Sequence, residues 1–252
     1  FESRCQPSST ELDELAGPYV GCPQCAGGIS PRLHDALADL GISIPPEVIQ
    51  ASISSITVQG NWKSIYLPVP PARLMSSVFR GTLPFGQHPT GDCFDGLLLG
   101  VATEAGAEII GSRVFRAAYD GTGRVELSYL LNNVESVLHV DFAVFAGGVN
   151  DRTARLHPLP NSMELYQQLQ PAYVPPRLRK ALIFELEAKG STGMSEGGEI
   201  HYIESSSGKL RLDMCSMLSK RGYITVSLVG RSVDESLGHQ QNRSLIMDFL
   251  GQ

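Results

Sequence analysis

The chain has 252 residues, 42% of them hydrophobic and 18% charged, with a formal net charge of −6. That balance predicts one large or two small globular domains with a buried core. The acidic surplus and the lack of any basic run argue against nucleic acid, and no apolar stretch approaches the roughly 18 residues of a membrane helix. No signal peptide is legible. The five cysteines, Cys5, Cys22, Cys25, Cys93 and Cys215, are an odd set at irregular spacing, which makes no disulfide framework and fits a reducing cytoplasm.

In chain order, residues 1–3, "FES", read as the tail of a strand. A polar stretch follows to about residue 30. "SPRLHDALADLGI" then predicts a helix, with Ser30 as N-cap, Pro31 at the first position and Gly41 as stop. Leu33, Leu37 and Leu40 share one of its faces. Residues 53–69 predict a hairpin turning at Gly60 and Asn61. A helix is predicted over 94–105, closed by Gly106 and followed by a strand. Residues 113–150 predict three strands, with turns at 120–123 and at Asn132 and Asn133. The last ends in "FAVFA", a continuous apolar run of the kind buried on both faces in an α/β sheet.

After Asn150 the texture changes. "MELYQQLQ" predicts a short helix. "KALIFELEA", "EIHYIES", "KLRLDMCSML" and "YITVSLVG" predict an antiparallel sheet. Ile224, Val226 and Leu228 alternate there with Tyr223, Thr225 and Ser227, giving one covered face and one more polar face. "NRSLIMDFL" closes the chain as a helix.

The motif with most chemistry in it is "GCPQCAGGIS", residues 21–30. Cys22 and Cys25 have a zinc-like spacing, but a structural zinc needs four ligands and no second pair exists. A redox dithiol opens a helix, where the dipole activates a thiol; here several residues intervene. Gly27 and Gly28 leave two readings open, an ordinary tight turn and a loop whose backbone closely approaches a ligand. Ala146, Gly147 and Gly148 end an apolar strand, and α/β sheets bind ligands at such carboxyl ends. Trp62 reads as hairpin packing; Asp95 is placed to cap the following helix; His201 and Tyr202 lie on a predicted strand, with a cavity-lining face and an exposed face equally open to them.

The ordered series "FESR", "CAGGISPRLHDALADLGI", "VFRGTL", "FDGLLLGVATEAGAEIIGSRV", "AGG" and "SKRGYITVSLVG" resembles the FAD-dependent oxidoreductases of the geranylgeranyl reductase type, within the para-hydroxybenzoate hydroxylase-like flavoproteins. The resemblance covers nearly the whole chain. It implies an α/β plus α+β fold. Residues 1–150 would be a partial FAD-binding domain of three layers, with the hairpin 53–69 inserted. Residues 151–252 would be an antiparallel-sheet substrate domain. Glu2 and Arg4 would lie at the end of the second strand, where an acidic residue binds the adenosine ribose. Cys25, Gly27 and Gly28 would lie beside the flavin, and Gly147 and Gly148 would match a glycine turn of the cofactor shell. Tyr202 and Tyr223 would face the substrate.

Three family features are missing: the G-x-G-x-x-G turn, the aspartate where Gly147 stands, and the C-terminal "GD" segment. The resemblance therefore implies an internal piece of a longer flavoprotein, inactive by itself. Its cofactor would be FAD and its substrate an apolar, isoprenoid-like small molecule whose double bonds are reduced. The electron donor is left open, with NAD(P)H a candidate. The location would be cytoplasmic or peripheral to a membrane. A flavin monooxygenase of the same architecture and a non-catalytic ligand-binding homologue are the alternatives.

Overall fold

The computed structural model describes residues 25–60, 63–81, 93–112, 114–146, 162–187, 198–204, 210–236 and 238–251. Two compact units divide the chain: Phe1–Ala107 with Arg179–Gln252, and Glu108–Leu178 between them in sequence.

The first unit is built on one mixed sheet. The Ser30 hydroxyl accepts from the Leu33 amide, and Pro31 fixes the first turn of α1, Pro31–Asp39. Gly41 ends it in the left-handed region at φ 72°. Of the expected apolar face only Leu37 is buried, against Ile29, Val48, Val78 and Phe94. Leu40 lies past the helix end and is 74% exposed. The predicted hairpin forms as β2, Ile49–Gln59, and β3, Ser64–Pro68. Gly60 donates its amide to the Lys63 carbonyl at the turn; Asn61 and Trp62 lie outside the described residues. The short strands β1, Gly28–Ile29, and β4, Ser76–Val78, extend this edge. Helix α2, Phe94–Glu104, ends at Gly106, as expected.

Four strands from the last third of the chain complete the sheet: β8, Ala181–Glu187; β9, Gly198–Ile203; β10, Met214–Lys220; and β11, Tyr223–Val229. The order is β1-β4-β2-β9-β10-β11-β8, with β3 on β2. All neighbours are antiparallel except β2 and β9. The hairpin expected as an insertion in the first domain is therefore hydrogen-bonded into the C-terminal sheet. A hairpin's local sequence specifies its turn and inner ladder, and β2 satisfies its second edge with a strand about 140 residues away.

The apolar face of β11 packs Ile224, Val226 and Leu228 on Phe184 and Ile246. Ile246 comes from α5, His239–Leu250, and Val233 of the one-turn helix α4, Arg231–Asp234, joins the same cluster. The opposite face is also covered: Thr225 is 1% exposed and Ser227 is 7% exposed. Polar alternation here marks a buried polar layer, not a solvent face.

The second unit is a meander of β5, Val114–Tyr119, β6, Val125–Leu131, and β7, Val134–Val140. Asn132 and Asn133 make the turn at φ 52° and 61°, both left-handed, as a two-residue hairpin requires. Helix α3, Ser162–Leu169, buries Leu165 and Leu169 on Ala117 and Val125. One expected strand is absent among the described residues, and another stops short. Residues 107–112 after α2 form no ladder, and Ile109 and Ile110 are exposed. The third strand ends at Val140, so "FAVFA" lies beyond it. Ala143 and Phe145 pack inward, whereas Phe142 is 82% exposed and Val144 76% exposed. Both segments have the composition of buried strands but no adjacent strand to pair with among the described residues. No helix among the described residues is long and apolar enough to cross a membrane.

Candidate functional site

The site is assembled in the first unit, where the loop at 25–28 meets the polar face of the sheet. Gly27 has φ +76°, and a Cβ there would lie 2.0 Å from the Val78 carbonyl oxygen. The Val78 amide donates to the Gly27 carbonyl at 2.9 Å. Gly27 is thus required by the protein's own backbone, the tight-turn alternative of the two left open by the sequence. Gly28 differs. It is exposed, and the nearest atom to its Cβ position is Leu218 Cδ2 at 3.9 Å. A side chain there would make an ordinary contact, so Gly28 is not required by the protein's own packing.

Beneath the loop lies an ion pair. Lys220 Nζ donates to Glu185 Oε1 at 3.0 Å, and the Thr225 hydroxyl donates to Oε2 at 2.7 Å. The Lys220 side chain is 1% exposed. Its ammonium also lies 4.3 Å from the centre of the Phe79 ring, and Phe79 packs edge-on against Tyr223 at 5.9 Å. Burial lowers the Lys220 pKa, and the Glu185 carboxylate opposes that shift.

A second pair closes the other side. Arg80 Nε and Nη2 donate to the two oxygens of Asp95 at 2.7 and 3.0 Å. The Asp95 side chain is 7% exposed and that of Arg80 44%. This fork, more than any other contact, holds the guanidinium protonated, with Cys25 adding to it. Asp95, expected to cap α2, instead clamps Arg80 from the helix's first turn; Cys93 occupies the cap position. Cys25 is half-buried and lies beside both cations.

Of the residues singled out in the sequence, Cys25, Gly27, Gly28 and Tyr223 come together here. Tyr202 is on the same sheet face, because Tyr202 opposes Ser216 and Tyr223 opposes Lys220, four residues along β10. That offset is about 13 Å along the strand. His201 points to the other face, where it bonds Glu199 at 2.9 Å. Glu2, Arg4, Gly147, Gly148 and Cys22 lie outside the described residues. No group of three metal-ligating side chains occurs among the described residues. Sequence reasoning missed Arg80, Lys220 and Glu185. The available signal was Glu185 itself, a charge inside the apolar strand "ALIFELE".

No family model matches the chain, and no curated protein matches it in sequence. Solved structures do match in fold. A geranylgeranyl bacteriochlorophyll reductase-like protein from Thermoplasma acidophilum aligns with a TM-score of 0.66 at 15% identity, over 93% of this chain and 53% of that one. The flavin-dependent halogenase CmlS aligns at 0.59 and 16% identity, over 94% of this chain and 40% of that one. Aklavinone-11 hydroxylase, solved with FAD and aklavinone, aligns at 0.58 and 14% identity, over 93% and 43%. The chain spans about half the length of the solved structures it matches. At these identities the likeness is one of fold: an α/β plus α+β architecture shared with flavin-dependent enzymes.

Proposed function

We propose that this chain is part of an FAD-dependent oxidoreductase that reduces double bonds of an apolar, isoprenoid-like small molecule. The observation that carries the reading is the likeness of fold, over nearly the whole chain, to the reductase-like structure. The residues present fit a flavin at one place. The exposed Gly28 backbone leaves room for a flat group, and Arg80, 44% exposed beside Cys25, is a cation for its polar edge. Bound there, FAD would supply the hydride chemistry.

The chain's own residues would then divide the work. Gly28 and Cys25 line the ring, and Gly27 holds the turn that presents them. Tyr223 and Tyr202 line the substrate side of the sheet. Glu2 and Arg4, and Gly147 and Gly148, which lie outside the described residues, would serve the adenosine end and the rest of the cofactor shell respectively. NAD(P)H is the proposed electron source. A monooxygenase is the second reading, favoured by the match to a hydroxylase solved with FAD and its substrate.

The test is spectroscopic and then chemical. The natural full-length protein is expected to purify yellow with stoichiometric FAD, and to consume an isoprenoid alkene without oxygen uptake. Oxygen uptake coupled to a hydroxylated product selects the monooxygenase. A full-length protein that binds no flavin overturns both. Residues 1–252 alone are expected to be colourless. Glu2 would supply one charge-assisted hydrogen bond, about 1.5–3 kcal/mol, against roughly 8 kcal/mol for micromolar binding. Within the full-length protein, Glu2→Ala is expected to weaken FAD more than Cys25→Ala.

A further inference from the structure

We propose that Lys220 and Glu185 form a fixed dipole with its positive end under the loop at 25–28, so that Lys220 is a positioning residue favouring negative charge on whatever group lies beside Cys25 and Gly28. The identity of that group as a flavin rests on the reading above; the dipole does not.

The geometry gives the pair a direction. Lys220 ends β10 and Glu185 sits on β8, with β11 between them. Both project from the same sheet face, since Lys220 opposes Tyr223 and Glu185 opposes Thr225. Glu185 is held at both oxygens, by Lys220 and Thr225. Lys220 reaches the loop: its Cε lies 3.5 Å from the position of a Gly27 Cβ, and Cys25 is among the groups that act on its charge. The Phe79 ring lies against the ammonium, its centre 4.3 Å away.

The surroundings make the charge effective. The Lys220 side chain is 1% exposed, so little water screens it, whereas Arg80 is 44% exposed. A buried ion pair is also a poor stability device, because two apolar side chains of similar volume serve as well or better. Placing a cation under a loop is something the apolar pair cannot do. A flavin gains negative charge as it accepts electrons, so a cation beneath it favours the reduced form.

The experiment uses the natural full-length protein and the double variant Lys220→Met with Glu185→Gln, which removes the dipole without leaving a lone buried charge. Two readouts are taken. The first is the flavin midpoint potential: at fixed ambient potential the reduced-to-oxidised ratio is expected to fall at least tenfold, about 30 mV for a two-electron couple. The second needs no flavin. The ratio of Cys25 labelling by anionic iodoacetate to labelling by neutral iodoacetamide, read by peptide mass spectrometry, is expected to fall about threefold, because the thiol's own reactivity cancels in the ratio and the charge beside it remains. Lys220→Arg is expected to recover most of both. A folded double variant with unchanged potential and unchanged labelling ratio overturns the proposal and leaves the pair a brace. If no variant binds flavin, the flavin reading fails and the labelling ratio alone decides the dipole. If the double variant does not fold, Lys220→Gln, which keeps a donor to Glu185, must lower the iodoacetate-to-iodoacetamide ratio at least as much, and an unchanged ratio there overturns it equally.

Discussion

Gly27→Ala and Gly28→Ala are neighbouring changes with sharply different expected costs. At Gly27 the added methyl group sits at φ +76°, where a non-glycine residue costs about 1–2 kcal/mol. It also meets the Val78 carbonyl oxygen at 2.0 Å. That atom is backbone in the buried strand β4 and has no rotamer to retreat into. The loop must move instead, which breaks the hydrogen bond from the Val78 amide to the Gly27 carbonyl, worth about 0.5–1.5 kcal/mol. The sum is about 1.5–3.5 kcal/mol. At Gly28 the methyl group finds Leu218 Cδ2 at 3.9 Å, an ordinary contact, and the expected change is within about 0.5 kcal/mol.

Urea unfolding followed by circular dichroism measures both. With a slope of about 2 kcal/mol per molar urea, the Gly27→Ala midpoint falls by about 1–2 M and that of Gly28→Ala barely moves. A Gly27→Ala variant as stable as the parent would refute the assignment of that glycine to backbone packing. Equal losses at both positions would refute the distinction between a packing glycine and a ligand-facing one.

Lys220→Met alone leaves the Glu185 carboxylate half-enclosed and unpaired, and is expected to cost about 3 kcal/mol or more, with the double variant Lys220→Met and Glu185→Gln recovering most of it in the same urea titration. Asp95→Asn removes one end of the fork to Arg80; because Arg80 is 44% exposed, the expected loss is only about 1–2 kcal/mol. Burial pushes the Cys215 thiol up to about 12, above its ordinary value of about 8.5. The unfolded chain therefore gives up that proton first, so stability is intact below about pH 8.5 and declines as pH rises toward 12, by at most about 1.4 kcal/mol per pH unit. Cys215→Ala should flatten that decline in urea midpoints measured from pH 8 to 11, and an unchanged slope would count against it. Elemental analysis of the purified chain is expected to find no stoichiometric zinc, since Cys22 and Cys25 are the sole C-x-x-C; one zinc per chain, lost in Cys25→Ser, would overturn this.

The elements that local chemistry specifies were legible. Ser30, Pro31 and Gly41 bound α1 because a cap, a fixed φ and a left-handed stop each act within one turn. Asn132 and Asn133 mark their hairpin for the same reason, since a two-residue turn needs two left-handed residues. Where pairing decides the outcome, the sequence was silent. The run at 142–146 has the composition of a doubly buried strand, yet composition does not supply a neighbouring strand, and Phe142 and Val144 stand exposed. The second edge of β2 is closed by β9, and nothing in the hairpin announces that partner.

The site shows why a charge pattern can be read in its period and misread in its environment. Along β11, Tyr223, Thr225 and Ser227 alternate with aliphatic residues, and the period correctly gives two faces. What covers each face depends on chain from elsewhere. Phe79 and Gly27, from more than 140 residues upstream, close over the polar one, and Lys220 becomes a buried cation. From its neighbours Arg221 and Gly222 alone, Lys220 reads as part of a solvated turn. Glu185 becomes intelligible only once Thr225 and Lys220 are seen across the ladder. The cover explains the glycine as well. With any residue but glycine at 27, the loop could not come close enough for Lys220 to lie beneath it, so the turn that fixes the loop and the charge that lies below it depend on the same missing side chain.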